Sequence, residues 1–255
     1  PSMHYSMGGL WTDYGHMTNI PGLFAAGECD YMYHGANRLG GNSLLSATYS
    51  GMVVGPSAVN FVKERAGRKA VESSTVQSVK EREEVVYENL LRMDGKENPF
   101  KLHREMGDWM TENVTIQRYN NKLQETDDKL AELQERWKHV GISDSSKYAN
   151  QEVLFTRQLW NMLELARVIT QGALRRNESR GGHFKPDFPE RDDENWLKTT
   201  KASWTADGPS FSYDPVDTSL IQPRARRYDV DNTKKSDAGQ AAKERKPIVL
   251  SPVPE

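Results

Sequence analysis

The segment HGANRLGGNSLL, residues 34–45, gathers the residue types best suited to holding a small anion. Glycines at 35, 40 and 41 let the backbone take positive φ and approach a ligand without a Cβ in the way, so that N–H groups can converge on one acceptor. Asn42 or Ser43 is expected to cap the helix that follows, whose first turn offers unpaired N–H groups and a positive end. Arg38 adds a planar fork matched to a carboxylate or phosphate and charged at any relevant pH. A Gly-rich surface turn with a solvated arginine has the same composition, so the flanking segments must decide between the two.

Those segments have the form of a binding lobe. Residues 23–26, LFAA, read as a short buried strand entered through the Pro21-Gly22 turn and ended by Gly27. Glu28 then falls where a strand's carboxyl end meets the crevice of an α/β sheet. From Ser43 to Arg65 the pattern is helical, with Ala47, Ser50, Gly51, Gly55 and Ala58 giving a face for close packing and Pro56 expected to kink it.

Beyond residue 66 the composition changes. Residues 67–78 read as a linker rich in Lys, Ser and Thr, followed by amphipathic segments over 79–93, 99–113, 116–140 and 151–176. Pro99 after Asn98 marks a helix start, and Gly141 a helix stop. The apolar stripes, with Trp109, Met110 and Met162, are packing positions, and Asp127, Asp128 and Lys129 read as a solvated face. Residues 175–198 mix acids and bases densely around Gly181-Gly182. The consecutive acids Asp192, Asp193 and Glu194 point in divergent directions, so no metal site is expected there.

Composition limits the function classes. The chain has 255 residues, 36% of them hydrophobic, enough for one large domain or two small ones. A net charge of -2 gives no basic field for nucleic acid. The single Cys29 excludes an internal disulfide and suits a reducing compartment. The longest apolar candidate, 51–62, is interrupted by Pro56 and Asn60 and is too short to span a bilayer. No GxGxxG motif is present, which a dinucleotide-binding first strand–turn–helix requires.

Four runs, HYSMGGLWTD (4–13), NIPGLFAAGE (19–28), HGANRLGGNSLLSATYSG (34–51) and ESRGGHFKPDFPERDDENWLK (178–198), resemble in order the flavoprotein subunit of the succinate dehydrogenase and fumarate reductase family. CDYMYHG and LLSATYSGMVVGP are most similar to the menaquinone-linked bacterial succinate dehydrogenases. The resemblance implies the C-terminal portion of such a subunit: a partial α/β flavin-binding lobe, then an α-helical bundle and an irregular C-terminal segment. The corresponding expected bounds are 1–66 for the FAD-binding part, 67–78 linker, 79–176 helical domain, 177–228 docking segment and 229–255 disordered tail.

The resemblance also implies roles. FAD is the expected cofactor, with Glu28 on a sugar or ribitol hydroxyl and backbone groups of Ser43 and Leu44 at the flavin's pyrimidine edge. His4 and Arg38 are expected to bind the carboxylates of succinate or fumarate, and Arg180 and His183 to be docking residues. The expected partners are an iron–sulfur subunit and, through the complex, membrane anchor subunits with quinone, at the cytoplasmic face of a bacterial membrane. The proton-transferring Arg, the flavin-bearing His and a second substrate His are expected upstream of Pro1, so no catalytic residue is assigned here and the chain alone is expected to be inactive. Fumarate reduction is the same chemistry reversed. L-Aspartate oxidase shares the HGANRL–NSLL loop, but Ser6-Met7, GGNSLL and DENWL favour the dicarboxylate enzymes. A non-catalytic helical interaction module would be preferred if His4 and Arg38 lay far apart.

Overall fold

A computed structural model of the chain describes residues 4–65 and 71–224. Residues 1–216 form one unit and 217–255 a second, of which 217–224 are described as an irregular stretch. Residues 67–70 of the expected linker and the expected tail 229–255 lie outside the described residues.

The described residues are mostly helical. Helices α1 (Asn42–Glu64), α2 (Ser73–Leu91), α3 (Pro99–Val114), α4 (Asn120–Trp137), α5 (Gln151–Arg175) and the one-turn α6 (Asp193–Trp196) are followed by strands β1 (Lys198–Ser203) and β2 (Ser210–Pro215). α3 starts where the Asn98 side chain accepts from the N–H groups of Phe100 and Lys101 (3.0 and 3.1 Å), with Pro99 at a position whose N–H would be unpaired anyway. α5 starts in the same way, with Asn150 Oδ1 accepting from Val153 N–H (3.0 Å). Apolar residues three and four apart on α3, α4 and α5 then meet: Leu102 and Met106, Leu130 and Leu133, Leu159, Leu163 and Ala166 share one core with Val140. Each fully buried leucine contributes roughly 2 kcal/mol of transfer free energy. Trp137 Nε1–H donates to the Thr156 carbonyl (2.8 Å), tying the end of α4 to α5.

Several boundaries differ from the sequence reading. α2 begins at Ser73, inside the expected linker, because no Gly or Pro interrupts residues 71–91 and its Ser and Thr residues lie in the first turns, where they are tolerated. α4 spans Asn120–Trp137 instead of 116–140: Tyr119 is extended, and the Arg118 N–H just before it donates to the Phe184 carbonyl (3.0 Å). Asp127 is not on a solvated face. It is buried, accepting from Arg167 Nε (3.0 Å) and Gln171 Nε2 (3.0 Å) on α5. The antiparallel pair β1–β2, in register from Lys198↔Pro215 to Ser203↔Ser210, lies in the segment expected to be irregular.

The expected α/β lobe is not built as a sheet among residues 4–65. Leu10↔Asp30 and Met17↔Phe24 are isolated bridges, because each segment finds a partner for only a residue or two. Leu23 is accordingly half exposed, while Ala25 is buried with its N–H on the His16 carbonyl (3.0 Å). α1 runs through Pro56 without interruption. Its inner face is polar at two points, Ser46 and Ser50, and the Ser50 hydroxyl accepts from Gly27 N–H (2.8 Å), fastening α1 to the turn that carries Glu28.

Candidate functional site

Three backbone–backbone hydrogen bonds and one from a backbone N–H to a carboxylate assemble the site. Leu10 N–H donates to the Cys29 carbonyl (2.7 Å), Tyr31 N–H to the Leu10 carbonyl (3.3 Å) and Ser6 N–H to Glu28 Oε1 (2.8 Å), so the segment of His4 lies along the segment of Glu28. Gly9 allows this approach, since a Cβ there would stand 2.3 Å from the Cys29 carbonyl oxygen. Gly182 N–H donates to the Ala36 carbonyl (2.8 Å) and holds the Arg38 loop from the opposite side.

His4 and Arg38 converge. Arg38 Nη2 donates to His4 Nδ1 (3.2 Å), Nη1 donates to the Leu39 carbonyl (3.1 Å), and the guanidinium carbon lies 5.4 Å from the centre of the Tyr5 ring. Arg38 Nε is buried and has no hydrogen-bond partner among the described residues. Tyr5 also stands edge-on to His34, whose tautomer is fixed by chemistry: the Ser46 hydroxyl donates to the Ser43 carbonyl (2.9 Å) and must therefore accept from His34 Nε2–H (3.0 Å). That bond ties the loop to the first turn of α1.

The cap of α1 differs from the expectation of Asn42 or Ser43. Gly41 occupies the N-cap in the left-handed region (φ 81°), and no side-chain oxygen bonds the first turn. Asn42 N–H donates to the Leu39 carbonyl (3.2 Å), while a serine or asparagine at the N-cap would spend its oxygen on the next N–H groups; with glycine those of Ser43 and Leu44 stay available to an external acceptor. The space around Gly40 and Gly41 is open to 4 Å, Ser43 is half-buried, and the Leu44 side chain is 81% exposed. The uncapped helix end, the exposed Glu28 carboxylate and the apolar Leu44 make a set of donors, acceptor and hydrophobe that suits a planar anionic heterocycle carrying hydroxyl groups.

Below the loop, His16 is buried, and its Nδ1–H donates to the Ala25 carbonyl (3.0 Å), leaving Nε2 to accept from the Tyr33 hydroxyl. Burial, with Asp30 and Tyr49 nearby, pushes the Tyr33 hydroxyl up to about 12, so it remains a donor. Sequence reasoning passed over His16, Tyr33, Tyr5 and Ser46, since none stands in a spacing that signals a role.

Arg180 and His183 sit in a second charged cluster on the bundle side. The fully buried Glu178 accepts from Arg176 (2.6 Å), Arg180 (2.8 and 2.9 Å) and Asp192 N–H (3.0 Å); burial alone would raise its carboxyl, but these bonds hold it below the usual range. His183 Nδ1 accepts from Arg118 Nη1 (2.6 Å) and Nε2–H donates to the Arg176 carbonyl (2.9 Å); burial pushes this imidazole down to about 4. Lys185, also buried, donates among the described residues to neutral acceptors, Asn120, Asn177 and the Leu174 carbonyl, and burial pushes it down to about 8. Asp192 caps α6 through Asn195 N–H, and Asp193 pairs with Arg180 and Arg191, so both acids have side-chain duties of their own. Among the described residues no helix is long and apolar enough to cross a membrane.

Residues 103–228 match the family model for the fumarate reductase flavoprotein C-terminus, and residues 1–44 match the FAD binding domain model. The chain is 57% identical over 231 residues to the succinate dehydrogenase flavoprotein subunit of Bacillus subtilis (strain 168), covering 89% of this chain and 39% of that protein. It is 40% identical over 252 residues to the fumarate reductase flavoprotein subunit of Haemophilus influenzae, covering 96% of this chain and 41% of that one. Among solved structures, a mutant Escherichia coli quinol fumarate reductase superposes with a TM-score of 0.81 at 39% identity, over 87% of this chain and 38% of that chain. Mycobacterium smegmatis Sdh1 in complex with UQ1 superposes at 0.70 and 31% identity, over 88% and 36%. The chain thus spans about two fifths of the length of the curated relatives it matches.

Proposed function

The chain belongs to the succinate dehydrogenase and fumarate reductase flavoprotein family, and from that premise we propose that it supplies two substrate ligands, His4 and Arg38, to the FAD-dependent oxidation of succinate to fumarate. The observation that carries this reading is the 3.2 Å approach of Arg38 to His4 across 34 residues of sequence. It also disfavours the helical interaction module, which requires the two to lie apart.

The residues divide the work by their chemistry. Among the described residues the Arg38 guanidinium is held by a histidine and one carbonyl with no acid to neutralise it, so a substrate carboxylate can accept from it beside His4. His4, exposed beside it, turns a ring N–H to the same anion, and Tyr5 packs flat space against the guanidinium. Holding a carboxylate in this way fixes the adjacent C–H bonds in direction and stabilises charge that develops toward the carboxylate as a C–H bond breaks. When bound, FAD supplies the hydride acceptor. Glu28 would accept from a cofactor hydroxyl, while the N–H groups of Ser43 and Leu44 at the uncapped end of α1 would hold negative charge on the ring edge. No residue of this chain is assigned as the proton acceptor.

On the same reading, residues 1–66 complete an FAD-binding domain, the helical domain runs from Ser73 through residue 176, and residues 177–216 dock the two. An iron–sulfur subunit and quinone-bearing anchor subunits at the cytoplasmic face of a bacterial membrane would carry the electrons away. Fumarate reduction uses the same groups in reverse.

The test uses the full-length parent subunit: succinate-dependent reduction of a dye, with bound-flavin absorbance, for wild type and Arg38→Ala. Activity should fall roughly 100- to 1000-fold with flavin retained, the loss expected for a charged group that stabilises a transition state. Full activity in the variant would remove Arg38 from the site, and a wild type that ignores succinate but oxidises L-aspartate would replace the substrate assignment.

A further inference from the structure

We propose that the turn of residues 180–183 is a clamp on the loop carrying Arg38, and that Gly181 is a positioning residue for dicarboxylate binding; this rests on the reading of His4 and Arg38 as substrate ligands.

The turn is fixed from the bundle side by groups that have little freedom. It closes on itself, Arg180 N–H donating to the His183 carbonyl (2.7 Å) and His183 N–H to the Arg180 carbonyl (3.0 Å). Arg180 is held by Glu178 and by Asp193 of α6 (2.7 Å). His183 is held between Arg118, from the α3–α4 connection, and the carbonyl of Arg176 just past α5. Arg118 is itself secured by the Val114 carbonyl (2.7 Å) at the end of α3. The position of the turn is therefore set by three helices that have no other part in the site.

On the other side the turn meets both substrate-ligand segments. Gly182 N–H holds the Ala36 carbonyl, two residues before Arg38, and the position of a Gly182 Cβ lies 3.5 Å from Met7 Cε, three residues after His4. Among the described residues no acid contacts Arg38: its guanidinium has a histidine, one carbonyl and the face of Tyr5. Its place is inherited from the loop backbone, and the loop backbone is held by the clamp and by the His34–Ser46 bond.

The two glycines of the turn are not equivalent. Gly181 has φ +59°, and a Cβ there would stand 2.4 Å from the Ala36 carbonyl oxygen and 2.6 Å from its carbon. Backbone atoms cannot swing aside as a side chain does, so any side chain at 181 must displace Ala36 and with it Arg38. At Gly182 the nearest atoms to a Cβ are at 3.5 Å, ordinary contact. Misplacing a binding group by about 1 Å can cost up to roughly 100-fold.

The experiment uses the full-length, flavin-loaded subunit and calorimetric binding of malonate, a dicarboxylate with no ethylene bridge to oxidise. Gly181→Ala and Gly181→Asn are made together, since Asn tolerates the left-handed backbone and isolates the collision with Ala36. Both should weaken malonate on the order of tenfold or more with flavin content unchanged. Gly182→Ala should stay within about twofold of wild type, and Gly181→Asn should add no further loss in an Arg38→Ala background, as expected for two residues acting as one unit. Wild-type affinity in both Gly181 variants, or an equal loss with and without Arg38, overturns the clamp. So does loss of the flavin or failure to fold in Gly181→Asn, since the turn would then determine folding instead of position. If Arg38→Ala alone binds malonate like wild type, the substrate-site reading itself has failed, and the clamp falls with it.

Discussion

His183 binds as an acceptor at one nitrogen and a donor at the other, an arrangement only the neutral ring can make. Its folded pKa, pushed down to about 4 by burial, lies below the ordinary value of 6.5. The unfolded chain therefore binds the extra proton first, and the stability this ring contributes is complete above about 6.5 and is lost as pH falls toward 4. His183→Gln keeps one acceptor and one donor but does not titrate. Its denaturation midpoint should fall less than that of the wild type between pH 6.5 and 4.5, and parallel curves would mean that His183 does not carry this linkage. Residue type beside glycines singled out Arg38 as an anion ligand, whereas His4 and Glu28 were singled out only through the family resemblance, since a lone imidazole or loop carboxylate has the same local signature in a purely structural role. Arg118 was not legible. It reaches His183 across 65 residues, and no local spacing reports that.

Helices α3 and α5 were readable to within a residue because each starts at an asparagine that pays for its own N-terminus and continues with apolar residues at the helical period. α2 was read six residues short, at 79 instead of 73, because Ser and Thr carry the same composition in a linker and in a first turn. The pair β1–β2 escaped because each strand alternates only weakly and is defined by its partner. The α3–α5 core also sets what mutation should cost. Leu163, fully buried among Leu102, Leu133 and Leu159, should lose about 2–5 kcal/mol on Leu163→Ala, measured by chemical denaturation. A change below about 0.5 kcal/mol, the range of surface substitutions, would contradict that packing.

For the molecule as a whole, the outward face of α1 is conspicuous: Leu44, Leu45, Tyr49, Met52, Val59 and Val62 are all more than half exposed. The chain also has no GxGxxG and spans about two fifths of its curated relatives. The 255-residue chain purified by itself should therefore carry well under one flavin per chain, read from absorbance at visible wavelengths; a tightly bound, stoichiometric flavin would contradict this. What the sequence determined by itself was local and chemical: the four runs that mark the family, the residue types of an anion site, and the helices whose caps and periodicity are written within a few turns. The tertiary structure decided which of these groups meet. It set Arg38 against His4, left Gly41 at the head of α1 with no side-chain cap, buried Asp127 on Arg167, and brought Gly182 onto Ala36. Each of those outcomes depends on contacts between residues far apart in the chain or on the backbone angle the fold imposes, and neither is encoded in composition or spacing.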